Sequence, residues 1–335
     1  MRIGVFLVAA CFPGVSPEQA LRTALDYGIA AEDAGFDDVF VAEHHFTPYG
    51  ACPSALTFAA LLAGRTARIG VGTAVTVLST SHPVAVAEQA AILDVLTGGR
   101  FTLGVGRGGP WVDLEVFGTG MDGLSHRAFA EALEILGAWG TRDVVSYDGE
   151  FHRFREVPVV PRGRPPLLVA CMSAETARLA ARHRLPMLLG MHADDAEKAG
   201  MVRAYGALAA QGPHGLHGPH GLHTSVVVAQ VAGSRAAGID LLRQTMPTWL
   251  APGLAGYVRL DGGEGPSRDP VAYAEYLTSI HPIGPAAYCA ERILESSQVT
   301  GMDRFLLFVE SGGPEHTLSN IKALGASVLP SLRAV

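Results

Sequence analysis

Two imidazoles and a carboxylate follow directly after the apolar residues 39–42, where a buried strand is predicted to end. They are Glu43, His44 and His45, and in parallel α/β proteins the carboxyl ends of the strands carry the chemistry. Because imidazole changes its protonation near neutral pH, His44 is a candidate acid, base or hydrogen-bond donor. Successive side chains at a strand end point in opposite directions, so at most one histidine can face the site. The alternative is a pair of histidines that only satisfies backbone groups in a loop.

A glycine-rich loop at residues 104–109 follows another predicted strand and contains one arginine. Its spacing formally matches the dinucleotide-binding pattern, but Pro110 and Trp111 follow where that pattern requires the start of a helix. We therefore interpret Gly106 and its neighbouring glycines as letting the backbone approach a planar or phosphorylated ligand, with Arg107 donating to a phosphate. A tight turn without a ligand is the alternative interpretation.

Ser173 and Thr176 stand at the predicted start of a helix that follows the strand at residues 167–171. The free N–H groups of a helix start, together with two hydroxyl groups, favour the binding of a phosphate. Most such pairs are helix caps, so this pattern alone leaves both interpretations open.

Short aliphatic or β-branched segments alternate with longer amphipathic segments along the chain. Eight alternations within 335 residues favour a (β/α)8 barrel with insertions over a doubly wound sheet, and the absence of a linker predicts a single domain over residues 1–335. The predicted strands lie near residues 3–8, 38–42, 69–74, 101–105, 167–171, 187–190, 224–230 and 304–309. Helices are predicted near residues 17–34, 53–65, 83–97, 125–139, 174–184, 194–209, 234–249, 285–297 and 314–332.

Three segments do not fit a bare barrel. Residues 144–155 predict a hairpin that turns near Asp148-Gly149. Residues 251–285 are rich in Gly and Pro at their centre and predict a mobile lid. Residues 212–223 contain the sequence Gly-Pro-His-Gly-Leu-His twice. Its histidines suggest a metal site, but Gly and Pro prevent the helix that would align the rings, so an exposed duplication is the better interpretation.

The composition limits the partners and the compartment. A net charge of −7 with a pI near 6.0 argues against a nucleic-acid partner, which needs clustered cations. The sequence has no run of 18 uncharged apolar residues, so no membrane span is predicted. The four cysteines lie far apart without a Cys-x-x-Cys pair, which is typical of buried thiols in a cytoplasmic protein. No metal site is predicted, and common hydrolase motifs are absent.

Several segments occur in an order shared with one known family: Ala34-Gly35-Phe36-Asp37, Glu43-His44-His45-Phe46-Thr47, Val71-Gly72-Thr73-Ala74, His82-Pro83-Val84, Gly99-Arg100-Phe101, Arg107-Gly108, Val116-Phe117-Gly118-Thr119 and Pro282-Ile283-Gly284. They resemble the bacterial luciferase-like, flavin-dependent monooxygenases, and the luciferase α subunit in particular. The resemblance covers almost the whole chain and is strongest over residues 1–190.

The resemblance implies a (β/α)8 barrel that binds reduced FMN at the carboxyl end of its strands. FMNH2 from a separate flavin reductase would react with O2 to form a C4a-hydroperoxyflavin, which oxygenates an organic substrate. The protein would orient the cofactor and exclude water. A homodimer is also implied, because luciferases pair two subunits across one face of the barrel.

Residue roles are carried over position by position. His44 corresponds to the active-site histidine of the family, and Glu43 corresponds to its neighbour beneath the flavin. The cofactor contacts that the resemblance implies are Ala74 and Val75, joined by a cis peptide bond against the isoalloxazine ring, the loop residue Gly106, the acid Asp113, and the phosphate-binding residues Arg107, Ser173 and Thr176.

One departure concerns Gly106, which stands where luciferase α subunits carry a reactive cysteine. The smaller residue predicts a wider pocket and a substrate unlike a long straight aldehyde. The implied substrate is an apolar organic molecule, with an aldehyde or a polyketide or other secondary metabolite of antibiotic biosynthesis as candidates. Two further interpretations are an F420-dependent reductase or dehydrogenase of the same superfamily and a non-catalytic flavin-binding protein.

Overall fold

Eight parallel strands close into a barrel in the computed structural model, which describes residues 1–209, 223–256, 258 and 269–334. Neighbouring strands pair in chain order, and the first strand pairs with the last. The predicted (β/α)8 barrel is confirmed, and each predicted strand forms part of its wall. That the chain is one domain over its whole length stays a prediction. The strands, numbered β1 to β8, are Arg2–Leu7, Asp38–Val41, Gly70–Thr73, Phe101–Gly106, Leu167–Cys171, Met187–Leu189, Thr224–Val228 and Arg304–Phe308.

Helices connect the strands and cover the outside of the barrel. Within the described ranges, no helix is both long enough and apolar enough to cross a bilayer. The long helices follow their predicted ranges closely, whereas α4, α5 and α10 below were not predicted. The helices, numbered α1 to α13, are Pro17–Asp33, Ala55–Arg65, Pro83–Thr97, Trp111–Val116, Gly120–Leu124, His126–Trp139, Ala174–Arg182, Asp195–Ala209, Arg235–Gly256, Pro270–Ile280, Ala286–Thr300, Pro314–Ala323 and Leu329–Arg333.

The alternation of side chains along the strands builds two apolar layers. In β1, Val5 and Leu7 belong to the layer beneath the surrounding helices, whereas Phe6 belongs to the layer inside the barrel. Phe40 of β2 and Phe308 of β8 join the inner layer, and both are fully buried. Burial of one such side chain stabilises the fold by about 1.5–3 kcal/mol. The inner layer therefore fills the barrel axis with side chains.

Helices α9 and α10 extend the inner layer beyond the carboxyl ends of the strands, which form the mouth of the barrel. The Trp249 ring of α9 lies 5.9 Å from the Phe308 ring and 5.6 Å from the Phe12 ring. Trp249 is only 2% exposed. The mouth is thus partly covered by α9, and the chemistry must be sought beneath this cover.

The lid predicted for residues 251–285 is wrong for most of its described part. Helix α9 continues to Gly256, and α10 occupies Pro270–Ile280. Asp269 caps α10 by accepting hydrogen bonds from the N–H groups of Val271 and Ala272, and Pro270 occupies the first helical turn. An acidic cap followed by proline is a helix-start pattern, and it outweighs the general Gly and Pro content of the segment. Residues 257 and 259–268 lie outside the described chain.

Two other insertions have different outcomes. The predicted hairpin is confirmed, with the strands Val144–Asp148 and Arg153–Pro158 paired antiparallel. Residues 212–222 of the predicted duplication lie outside the described residues. His223, its last residue, accepts a hydrogen bond at Nδ1 from the Met187 N–H at 3.0 Å. This histidine therefore supports the barrel wall at the start of β6.

Candidate active site

Glu43 lies two residues beyond the end of β2 and braces the barrel mouth. Its Oε2 accepts a hydrogen bond from the N–H of Ala55 at 3.0 Å, and its Oε1 accepts one from the N–H of Val77, also at 3.0 Å. His45 Nε2 lies 3.3 Å from the same Oε1. Ala55 is the first residue of α2, whose positive dipole end favours a carboxylate. Glu43 thus ties three segments of the mouth together, and the side chain is only 6% exposed.

His44 places each imidazole nitrogen in a different environment. Its Nε2 lies 2.7 Å from the Tyr49 hydroxyl group. Its Nδ1 is buried and has no hydrogen-bond partner among the residues described. Burial lowers the pKa of His44 to about 4, and the neighbouring His45 adds to this effect. His44 is therefore neutral at physiological pH and can accept or donate a hydrogen bond.

His45 points away from His44 and is taken up by structural contacts, in line with the expectation that only one of the pair faces the site. Its ring lies 4.9 Å from the ring of Phe117 in an edge-on arrangement, and its Nε2 contacts Glu43. Asp113 of α4 is 3% exposed, and its Oδ1 lacks a partner within the described chain. Burial raises the pKa of Asp113, and the charge of Glu43 acts in the same direction, while His45 opposes it.

The peptide bond between Ala74 and Val75 is cis, as the resemblance implies. It follows β3 directly and lies against the loop after β4. A side chain at Gly106 would place its Cβ 2.6 Å from Val75 Cγ2. The wider pocket predicted from Gly106 is therefore wrong, because the Val75 side chain occupies the space that a larger residue would need.

The loop after β4 leads into a helix that the sequence interpretation excluded. Helix α4 begins at Trp111, with Pro110 as its N-cap residue in an extended conformation. Proline is compatible with this position because the first N–H groups of a helix have no partner inside the helix. Arg107 lies in the preceding loop, where its guanidinium donates to the Leu124 carbonyl oxygen at 2.9 Å.

His126, at the start of α6, connects the surroundings of Arg107 to those of α7. Its Nδ1 lies 3.3 Å from the Glu175 carboxylate in the first turn of α7. Burial and the positive charge of Arg107 lower the pKa of His126, while Glu175 partly compensates. His126 Nε2 is buried and has no partner in the described part of the chain. Sequence reasoning missed this histidine, although it lies at the start of the helix predicted near residues 125–139.

Ser173 caps α7, so one of the two interpretations of the Ser173–Thr176 pair is observed directly. The Ser173 Oγ accepts a hydrogen bond from the Thr176 N–H at 3.2 Å and lies 3.1 Å from the Thr176 hydroxyl. A cap leaves further N–H groups of the first turn able to bind an anion. Together with the Arg107 guanidinium, this end of α7 has donors that could bind a phosphate.

Glu310 is a second buried carboxylate at the mouth that sequence reasoning missed. Its oxygens accept hydrogen bonds from the N–H groups of Val8 at 2.6 Å and Ala10 at 2.9 Å. Burial raises its pKa to about 7, against the effect of these bonds. The sequence pattern that would have identified it was present, because Glu310 follows the end of β8 just as Glu43 follows the end of β2.

Two cavities open near these residues. The smaller, of about 170 Å³, is lined by Glu310, Tyr27 and Phe12. The larger, of about 420 Å³, includes Phe117 and Ser79 in its wall, and the Ser79 hydroxyl lacks a partner among the residues that the structure describes. A volume of this size suits a small organic molecule. Phe117 also contacts His45, so the larger cavity adjoins the cluster around Glu43.

Comparisons with known proteins agree with this geometry. The sequence profile of the family described as luciferase-like monooxygenase matches residues 1–304. The chain is 28% identical over 359 aligned residues to the alkanal monooxygenase alpha chain of Photorhabdus luminescens, covering 99% of this chain and 97% of that relative. The chain therefore belongs to the luciferase-like monooxygenase family, whose members are oxidoreductases.

Solved structures share the fold at lower sequence identity. Monooxygenase RslO1 from Streptomyces bottropensis superimposes with a TM-score of 0.84 at 23% identity, covering 98% of this chain and 99% of that chain. The oxygenating constituent of a Pseudomonas putida diketocamphane monooxygenase, solved with FMN, gives a TM-score of 0.75 at 17% identity and 98% coverage of both chains. An F420-dependent secondary alcohol dehydrogenase gives 0.75 at 18% identity and 99% coverage of both.

Proposed function

We propose that the protein is a monooxygenase that uses FMNH2 and O2 to oxygenate an apolar organic substrate. The observation that carries the proposal is a pairing at one barrel mouth: phosphate donors follow β4 and β5, and a neutral buried imidazole follows β2. The first group, with Arg107 and Ser173, matches the charged tail of FMN. The second group, His44, could accept or donate a proton near the flavin ring.

The residues present fit FMN on structural grounds. The guanidinium of Arg107 would hold the phosphate together with the free N–H groups at the start of α7. The Ala74–Val75 segment would support the ring, and Glu43 holds the surrounding segments in place. Reduced FMN would supply the activation of O2 and the oxygen atom transferred to the substrate.

His44 would hold or move a proton at Nε2. With a pKa of about 4, it stays neutral throughout the physiological range and can accept a proton from a reacting group. Asp113, whose pKa is raised by burial, would act as a second polar group near the loop that binds the flavin. The organic substrate would occupy the cavity of about 420 Å³ that Phe117 helps to line.

Two partners complete the proposal. A separate flavin reductase would supply FMNH2, as the resemblance to the luciferases implies. A second copy of this chain would cover apolar side chains on one outer face, since Leu61 of α2 and Ile92, Val95 and Leu96 of α3 are exposed by 45–79%.

The test is the formation of oxygenated product from candidate aldehydes by the protein with photoreduced FMN and O2, in the wild type and in a His44→Ala variant. We expect the variant to bind FMN with unchanged affinity and to lose about a hundredfold in substrate turnover. His316→Ala is a suitable control, because His316 lies on α12 and contacts only a backbone carbonyl there. Product formation at the wild-type rate in His44→Ala would refute the role of this histidine.

A second candidate is an F420-dependent reductase or dehydrogenase, which the similarity to the F420-dependent alcohol dehydrogenase favours. Such an enzyme would transfer hydride without consuming O2. Product analysis with reduced FMN and O2, and with reduced F420 in the absence of O2, separates the two candidates, since only the monooxygenase incorporates oxygen from O2 into its product. A flavin-binding protein without activity would bind FMN and convert no substrate.

A further inference from the structure

Neither nitrogen of the His44 imidazole can exchange a proton without involving Tyr49. The Nδ1 atom faces the backbone at Gly50, where an added Cβ would lie 2.6 Å from this nitrogen and 3.1 Å from the Val8 carbonyl oxygen. The Nε2 atom lies 2.7 Å from the Tyr49 hydroxyl, and the two rings are 4.7 Å apart. A proton that enters or leaves His44 at Nε2 therefore involves the phenol oxygen.

Tyr49 is itself held in place from the opposite side by α9. Its ring stacks on Trp249 with centroids 6.2 Å apart and an interplanar angle of 29°. Gly253, one turn further along α9, lies so close that an added Cβ would overlap the Tyr49 ring. The phenol is thus fixed between His44 and the helix that covers the mouth, and this limits the orientations that the imidazole can adopt.

We propose that Tyr49 is a positioning residue that sets the orientation and the proton-bearing nitrogen of His44, so that imidazole and phenol act as one acid–base pair. In the neutral state the phenol donates to Nε2, which leaves the ring proton on Nδ1, and the phenol oxygen accepts from Nε2 once the ring is protonated. The bond therefore persists through a proton transfer, and only the hydroxyl hydrogen turns. Without the hydroxyl group, Nε2 would lack a partner in a buried environment, which is costly.

This inference rests on the proposed function for the role of His44 in turnover, but its structural part can be measured separately. Tyr49→Phe removes the hydroxyl group and keeps the ring between His44 and Trp249. The first readout is the ¹⁵N NMR spectrum of His44, assigned by comparison with His44→Gln. We expect one dominant tautomer in the wild type and a mixture of both in Tyr49→Phe.

The second readout is kinetic and uses the full protein with photoreduced FMN and O2. We expect the FMN affinity and the KM for the organic substrate to change less than twofold. The kcat should fall about tenfold, which is the effect of one lost hydrogen bond. We also expect the pH profile of kcat to shift. Tyr147→Phe is the matched control, because that hydroxyl donates to Glu134 on the hairpin side of the molecule.

A second variant protects the test against a simple packing defect. Gly253→Ala keeps the hydroxyl group but displaces the Tyr49 ring, so we expect the same change in the His44 spectrum. Unchanged His44 signals and an unchanged pH profile in Tyr49→Phe would overturn the inference. If the wild type forms no oxygenated product with reduced FMN and O2, the proposed function fails, whereas the tautomer measurement still decides whether Tyr49 positions His44.

Discussion

Arg304 of β8 and Asp38 of β2 form a buried ion pair, with 3.1 Å between the Arg304 guanidinium and the Asp38 carboxylate. Arg2 of β1, the strand between them, donates to both oxygens of the same carboxylate. Asp38 begins β2, so the pair lies at the amino end of the barrel, opposite the proposed site. Contacts at this end of such barrels serve stability, while those at the other end serve chemistry.

Asp38→Ala should therefore destabilise the protein without altering flavin binding. Removing one partner leaves the Arg304 charge buried without compensation, which costs about 3–5 kcal/mol. Urea unfolding measures the loss, and FMN titration of the folded variant checks the site. Asp240→Ala, which removes an exposed partner of Arg243, should cost less than about 1 kcal/mol. A similar loss in both variants would contradict the assignment.

Glu310 should make stability fall as the pH rises. Its folded pKa of about 7 lies above the ordinary value of 4.5, so between these values the folded state holds a proton that the unfolded state releases. The free energy of unfolding should then decrease by about 3 kcal/mol from pH 4.5 to pH 7 through this group. Glu310→Gln should remove this slope in denaturant titrations at several pH values. An unchanged slope would show that Glu310 is ionised in the folded protein.

Arg107 should distinguish FMN from riboflavin. Arg107→Ala removes a charge-assisted contact to the phosphate, so FMN affinity should fall by about 10- to 100-fold. Riboflavin lacks the phosphate, and its affinity should stay the same. Fluorescence titration with both flavins makes the comparison, and Arg127→Ala, whose guanidinium pairs with Glu150 on the surface, serves as control. Equal losses for both flavins would place Arg107 elsewhere than at the phosphate.

Gly106 and Val75 should be energetically coupled. Gly106→Cys brings a Cβ within 2.6 Å of Val75 Cγ2, and such overpacking costs about 1–3 kcal/mol. Combining it with Val75→Ala should restore most of that loss, because the obstructing methyl groups are removed. Thermal unfolding of the two single variants and the double variant measures the coupling. Strict additivity of the three values would mean that the loop moves away instead.

Leu96 should contribute to self-association. It is 79% exposed on α3, and we expect Leu96→Lys to convert a homodimer into a monomer. Light scattering during size-exclusion chromatography gives the mass. Leu318→Lys on α12, a 39% exposed leucine, should leave the mass unchanged. A monomeric wild type would remove the homodimer from the proposal.

Local patterns were sufficient for the barrel but not for its contacts. The eight strands are short apolar runs such as Thr224–Val228, and each was visible without knowledge of its neighbours. The end of β2 was also predicted correctly, so His44 lies just beyond a strand as expected, while its role stays a prediction. The Tyr49–His44 bond depends on α9, whose Trp249 and Gly253 lie about two hundred positions further along the chain. No periodicity encodes such a contact.

Other wrong predictions arose where two local sequence signals favoured different structures. The glycine and proline content of residues 251–285 obscured the Asp269 cap of α10. Pro110 was taken as excluding a helix, although it stands at a position where helices accept proline. Gly106 suggested open space because the position of the Val75 side chain cannot be inferred from sequence spacing.

The phenylalanines packed across the barrel axis restrict the route by which ligands can enter and leave. Phe40 and Phe308 are fully buried inside the barrel, so within the described chain side chains fill the barrel axis beneath His44. Under the proposed function, cofactor, oxygen, substrate and product would all enter and leave at the mouth of the barrel, which α9 partly covers. The molecule that binds deepest would then bind first and leave last, which predicts an ordered sequence of binding and release.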